Sequence, residues 1–199
     1  MVGRGGSFDS IVTKRILLVR HGRSAHVHDG AWMPANRVRD YERGYNAAGI
    51  LSEDAPPTHL VDTATRSDTL VASDLRRAIE SARRLAPGRD PVILPLLREI
   101  DLEPPRWIPM SLPIAAWDAL SFAQWSYRLR VDADHEFVRR ADAASDWLVE
   151  RAKNAVSVVA VTHGGFRRIV ARRLEVRGWR AAGRDLGHAN WSAWSFTQQ

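Results

Sequence analysis

The chain contains no cysteine. That absence excludes a disulfide framework, a thiolate metal site and a cysteine nucleophile together. No apolar run approaches the roughly 20 residues that a membrane-spanning helix needs. The opening stretch, Met1 to Lys14, is polar and glycine-rich and lacks the apolar segment of a secretion signal. The expectation is a flexible leader over residues 1–14, then one domain over 15–199, in a soluble cytoplasmic protein. Lysine is nearly missing as well, only Lys14 and Lys153 being present. The excess of Lys+Arg 29 over Asp+Glu 23, a net charge of +6, is therefore almost wholly arginine. The arginines fall in scattered pairs, such as Arg76/Arg77, Arg83/Arg84, Arg139/Arg140 and Arg167/Arg168. A dedicated nucleic-acid tail would show a block of like charge, so the scatter argues against one. It leaves a solvated basic surface, or an anion pocket lined by a few of these side chains.

With 45% hydrophobic and 26% charged residues, the chain has the composition of a folded protein rather than a disordered one. Short apolar runs at Ile16–Val19, Thr69–Ala72, Val92–Leu94 and Val156–Val161 read as buried strands. The segment from Asn190 to Thr197 alternates and is aromatic, as a last strand would be. Helical stripes follow the second and fourth runs: Leu75, Ala78, Ile79, Ala82 and Leu85, then Phe166, Ile169, Val170 and Leu174. Ser73 or Asp74 is the expected N-cap of the first of these, and Pro87-Gly88 its stop. Two further helices are expected over about 114–128 and 135–153, and a short one after Pro57. Residues 20–67 otherwise read as irregular. Strands alternating with helices imply an α/β fold. The expected architecture is a three-layer sandwich with a mainly parallel central sheet and a small cap of loop and helix.

In such sheets ligands bind beyond the carboxyl ends of the strands. Just past the first run stands Arg20-His21-Gly22-Arg23-Ser24, and past the second Ser73-Asp74-Leu75-Arg76-Arg77-Ala78. Leu97-Arg98-Glu99-Ile100-Asp101 follows the third, and Thr162-His163-Gly164-Gly165 the fourth. Two histidines, several arginines and a carboxylate thus gather at one sheet edge. A guanidinium matches phosphate oxygens in bidentate fashion, and helix N-termini favour anions. The implied ligand is a phosphoryl group. The glycine after each histidine is expected to let backbone come close to it.

These motifs, in this order and at this wide spacing, resemble the histidine phosphatase (phosphoglycerate-mutase-like) superfamily. The resemblance implies a phosphomonoesterase acting on a small phosphorylated metabolite, with no metal and no cofactor. By the same resemblance His21 is the nucleophile, and Arg20, Arg77 and His163 hold the phosphoryl oxygens. Glu99 is the proton donor, with Asp101 in reserve. Ser24, Gly164 and Asn190 would complete the substrate pocket. A neutral imidazole is a competent nucleophile near pH 7, and a second, cationic histidine would stabilise transition-state charge. Two positions depart from the family pattern: Val27 replaces a common asparagine, and no Gly-x-Trp-Glu follows Glu99. A mutase-like phosphotransferase therefore ranks second, and a non-catalytic anion or nucleic-acid binder third.

Blander readings attach to other residues. His26 and His28 form a His-x-His pair without an evident third ligand, so no metal site is inferred. Trp117, Trp125 and Trp147 fall at helical spacing and suit a core, whereas Trp107 is the tryptophan placed to stack on substrate. Arg168 is read as structural or solvated. Arg23, Arg98, Arg106 and the loop over 26–57 are candidates for further anion contacts.

Overall fold

A computed structural model describes residues 13–26, 30, 32–105, 107–132, 134–185 and 187–198. The sequence readings that rest on the leader before residue 13, and on Val27, His28 and Arg106, lie outside the described residues. In chain order the elements are β1 (Lys14–Arg20), β2 (Trp32–Met33), α1 (Ala35–Ala47), α2 (Thr58–Thr65), β3 (Thr69–Ala72), α3 (Arg76–Leu85) and β4 (Val92–Ile93). Then come β5 (Leu112–Pro113), α4 (Ile114–Val131), α5 (Glu136–Lys153), β6 (Ser157–Thr162), α6 (Gly164–Val176), β7 (Arg180–Asp185) and β8 (Ala193–Gln198).

Six strands form one sheet in the order β4-β3-β6-β1-β8-β7. The first four run parallel, whereas β8 is antiparallel to both its neighbours, β1 and β7. The continuous apolar runs take the centre because only a strand covered on both faces can bury successive residues. Ile16, Leu18, Val158 and Ala160 face α5 and α6, packing on Phe137, Leu148, Phe166 and Val170. Leu17, Val19, Val159 and Val161 face the other way, onto Leu60 of α2 and Ala78, Ala82 and Leu85 of α3. Each fully buried Leu or Val contributes roughly 1.5–3 kcal/mol. The outcome is the expected sandwich.

The parallel register decides where the chemistry goes. Arg20 pairs with Thr162, so His21 and His163 leave the sheet side by side. Ala72 pairs with Val161 on the next ladder, which puts Ser73 beside them.

Three features differ from the sequence reading. Residues 35–47, expected to be irregular, form α1, in which Val38 is the one buried residue. With so little apolar surface the segment carries no stripe to detect. β7 was not expected either, because a polar edge strand lacks a buried run. Helix α3 starts after Leu75 with no side-chain cap, and Ser73 Oγ instead accepts the Leu75 N–H at 3.3 Å. Above the sheet edge, Val38, Ile114 and Trp117 join α1 to α4 in a small separate core. Trp117 Nε1 donates to the Met33 carbonyl at 2.8 Å and ties in the β2–β5 ribbon. This is the expected cap, enlarged by α1.

Candidate active site

The His21 and His163 rings lie 5.0 Å apart, centroid to centroid, and both are buried. His21 Nδ1 is 2.6 Å from the Gly22 carbonyl, which can only accept, so Nδ1 carries the proton. The Nε2 lone pair is thereby exposed to donors, and Arg77 Nε–H points at it from 3.3 Å. His163 Nε2 meets Ser73 Oγ at 2.8 Å. Burial, reinforced by the Arg77 charge, lowers the His21 pKa well below its ordinary value. Burial and then the neighbouring His21 do the same to His163. The protein's own field thus favours two neutral imidazoles. For His21 this is the nucleophilic form; for His163 the direction runs against the cation expected from sequence.

The loop carrying His21 is held from three sides. Gly22 N–H donates to Ser81 Oγ of α3 at 2.9 Å. Asn190 Nδ2 donates to the His21 and Gly22 carbonyls at 2.9 and 3.1 Å. Asp54 accepts from Arg23 N–H at 2.6 Å and from Trp191 Nε1 at 2.7 Å. Gly22 has no room for a side chain, since a Cβ there would stand 2.4 Å from the Trp191 ring. At Gly164 a Cβ would come 3.2 Å from the Arg20 guanidinium. Both glycines therefore answer to protein neighbours rather than to a ligand alone.

Arg77 is fully buried and its head is clasped by α1: Nη1 donates to the Tyr45 carbonyl at 2.9 Å and to Asn46 Oδ1 at 3.1 Å. Its Cζ lies 4.1 Å from the Tyr45 ring centroid, a cation–π contact. Arg20 Nη1 donates to the His188 carbonyl at 2.6 Å. Three buried nitrogens in this cluster have no hydrogen-bond partner: Arg20 Nε, Arg77 Nη2 and His163 Nδ1. Buried polar atoms are nearly always paired, so such a group calls for a partner from outside the chain, and for the two guanidinium N–H groups that partner is an acceptor.

Arg20, Arg77 and Gly164 form one end of a cavity of about 530 Å³. Its remaining wall includes Tyr41, Glu42 and Tyr45 from α1, Asp118 and Phe122 from α4, and Arg168 from α6. Glu99 also reaches this cavity, but both its oxygens are engaged. Oε2 accepts from Gly165 N–H at 3.0 Å, and Oε1 from Phe166 N–H at 2.7 Å and Ile100 N–H at 3.1 Å. Arg140 steadies that loop through the Arg98 and Glu99 carbonyls, at 2.5 and 3.2 Å.

A sequence profile of the histidine phosphatase superfamily (branch 1) matches residues 16–199. The chain belongs to that superfamily. Solved structures of similar fold include mycobacterial glucosyl-3-phosphoglycerate phosphatase, 19% identical with a TM-score of 0.55, covering 93% of this chain and 90% of that one. A mycobacterial protein described as hydrolase 2 has the same identity and TM-score, covering 93% and 82%. A mutant phosphoserine phosphatase from Entamoeba histolytica, in complex with phosphoserine, is 11% identical with a TM-score of 0.52, covering 92% and 89%. A comparison with curated proteins by sequence returned no match.

In this member of the histidine phosphatase superfamily, several sequence readings are redirected by the geometry. Ser24 Oγ accepts from His26 N–H at 3.1 Å. Asp101 is exposed and lines a smaller depression with Arg98, His135 and Arg140. Arg23 is paired with Asp54 and Arg98 with Asp74, which leaves neither as an extra anion contact in the cavity. Arg168 does line it, its Cζ 4.7 Å from the Phe122 ring centroid. Trp107 is 80% exposed and lies outside the lining, whereas Trp125 is part of it. His26 packs edge-on against Tyr41, at 4.8 Å between centroids. No described helix is long and apolar enough to cross a membrane. The sequence reading pointed to the 26–57 stretch only as a loop and named no cavity residue in it; Tyr41, Glu42, Tyr45 and Asn46 fall at helical spacing on α1, a segment without apolar periodicity.

Proposed function

We propose that the protein is a phosphomonoesterase that hydrolyses a small phosphorylated metabolite through a phosphohistidine on His21, with no metal required. The observation that carries this is the pair of partnerless buried guanidinium donors, Arg20 Nε and Arg77 Nη2, with the unpartnered His163 Nδ1, beside an imidazole whose Nε2 is deprotonated. Phosphoryl oxygens supply the acceptors these donors lack. The charge of the transition state sits mainly on those oxygens, so fixed donors stabilise it without reorganising.

In the first half-reaction the His21 Nε2 lone pair attacks phosphorus and the ester P–O bond breaks. The leaving oxygen takes a proton from a carboxyl group. In the second, water attacks the phosphohistidine, a carboxylate takes its proton, the P–N bond breaks and inorganic phosphate leaves. Glu99 borders the cavity beside Gly165 at the start of α6 and is one carboxyl available to this proton traffic. Asn190 acts on the nucleophile loop through the backbone and is a positioning residue. The cavity has room for a metabolite of modest size.

Rapid quench with a radiolabelled phosphomonoester tests this reading. The expected result is an acid-labile, base-stable protein label in wild type, absent from His21→Ala, with chelator without effect. Undiminished turnover by His21→Ala would refute it.

A further inference from the structure

The cavity holds a second carboxyl that the motifs do not include. Glu42 stands on α1, across from the sheet edge, and lines the same space as Arg20, Arg77 and Glu99. Its Oε1 accepts the Leu102 N–H at 2.8 Å, which fixes the side chain over the loop after Glu99. Oε2 has no hydrogen bond among the described residues and is free to carry a proton. Glu99 differs in this respect, because both its oxygens accept backbone N–H groups. An oxygen that faces an N–H donor is poorly placed to present an O–H of its own.

We propose that the two carboxyls divide the proton transfers: Glu42 protonates the leaving oxygen in the first half-reaction, and Glu99 takes the proton of the attacking water in the second. This rests on the phosphohistidine reading above. Protons balance, since Glu42 loses one to the departing alkoxide and Glu99 gains one from water. Exchange with solvent through the open cavity then resets both groups.

Electrostatics agree with the division. Burial in the wall raises the Glu42 pKa from its ordinary value to about 7, and the carboxylates of Asp101 and Glu99 add to it. The Leu102 N–H and Arg39 oppose the rise. Arg77 faces it from α3, while Asp118 of α4 and Arg168 of α6 share the cavity. A carboxyl that keeps its proton near neutrality is the kind an alkoxide leaving group requires, and two carboxyls in unlike surroundings are a recurrent way of separating acid from base. The substrate class follows: phosphate esters of alcohols, whose poor leaving groups depend on that proton, more than phosphate esters of acidic phenols.

The test is leaving-group dependence in Glu42→Gln and Glu99→Gln. In the first variant the amide oxygen still offers an acceptor to the Leu102 N–H. The expected result is that Glu42→Gln raises the ratio of kcat/KM for nitrophenyl phosphate over glycerol phosphate by about 10²-fold. It also removes the fall in rate above pH 7, which Glu42→Asp restores in part. Glu99→Gln lowers the rate with trapped phosphohistidine accumulating. The proposal is overturned if Glu99→Gln shifts the ratio and Glu42→Gln does not. A wild type that forms no phosphohistidine overturns it too, and marks the failure of the earlier reading rather than of the division. Unfolding supplies a second readout. A carboxyl raised from about 4.5 to about 7 in the folded state costs stability once ionised. Glu42→Gln is therefore expected to gain thermal stability relative to wild type at pH 8 and not at pH 4.5; equal differences at the two pH values would overturn the protonated state the proposal requires.

Discussion

The cavity has two unlike walls. One is made by Arg20 at the carboxyl end of β1, Arg77 in the first turn of α3 and Gly164 and Gly165 in that of α6, and the neighbouring His21 and His163 are buried. The other is made by α1 and α4, where Tyr41, Glu42 and Asp118 are side chains of surface helices and Phe122 is 40% exposed. The first wall owes its geometry to sheet register and to a loop tied down by Ser81, Asp54 and Asn190. The second rests on a small core of Val38, Ile114 and Trp117. Phosphoryl chemistry tolerates little displacement of its donors, and substrate choice tolerates more. The division of labour follows from how firmly each wall is built.

Four changes would break or sharpen that contrast. The largest effect is expected in the rigid wall. Arg77→Lys removes the Nη2 donor and the grip on Tyr45 and Asn46 together, and should lower kcat/KM by about 10²–10³-fold in steady-state assays. Next comes Gly165→Ala, at the seam between the walls. Its Cβ would stand 2.9 Å from Glu99 Oε1, so the carboxylate must move; a loss of roughly 10-fold in kcat with little change in KM is expected.

Third is the pH dependence of folding. Burial holds His21 and His163 well below 6.5, so the unfolded chain takes up protons there that the folded protein does not. Stability is therefore full above about pH 6.5 and lost as pH falls, by up to about 3 kcal/mol per pH unit for the pair. Urea unfolding at pH 7 and 5.5 should show this, with His163→Gln giving a shallower slope. The smallest effect belongs to Trp107→Ala, outside the cavity and exposed. Kinetic constants within about two-fold of wild type and stability within about 0.5 kcal/mol are expected. A large change in KM would bring the cap's outer face into substrate binding.

The rigid wall is the one that could be read in the chain. Ile16–Val19 and Val158–Val161 are buried on both faces, and that requirement shows as uninterrupted apolar letters. The residues that follow such strands sit at the sheet edge by topology, which is why His21, Arg77, Glu99 and His163 could be named. The other wall left no such trace. α1 buries Val38 alone, and its Glu42 and Tyr45 look like any solvated helix face until α4 and the Leu102 loop close over them. Arg167 and Arg168 are adjacent letters with different fates. The first braces the turn before β8 through the Ser192 carbonyl at 2.7 Å, and the second lines the cavity.

The four parallel strands, the helices that follow two of them, and the gathering of imidazole and guanidinium at one edge were determined by the sequence alone, because apolar periodicity and strand-end position are local properties. The pairing of Arg20 with Thr162, the proton on His21 Nδ1, the lowered pKa of His163 and the second carboxyl on α1 were decided by tertiary structure. Each of these depends on what lies within a few ångströms across the fold, and distance along the chain carries no record of that.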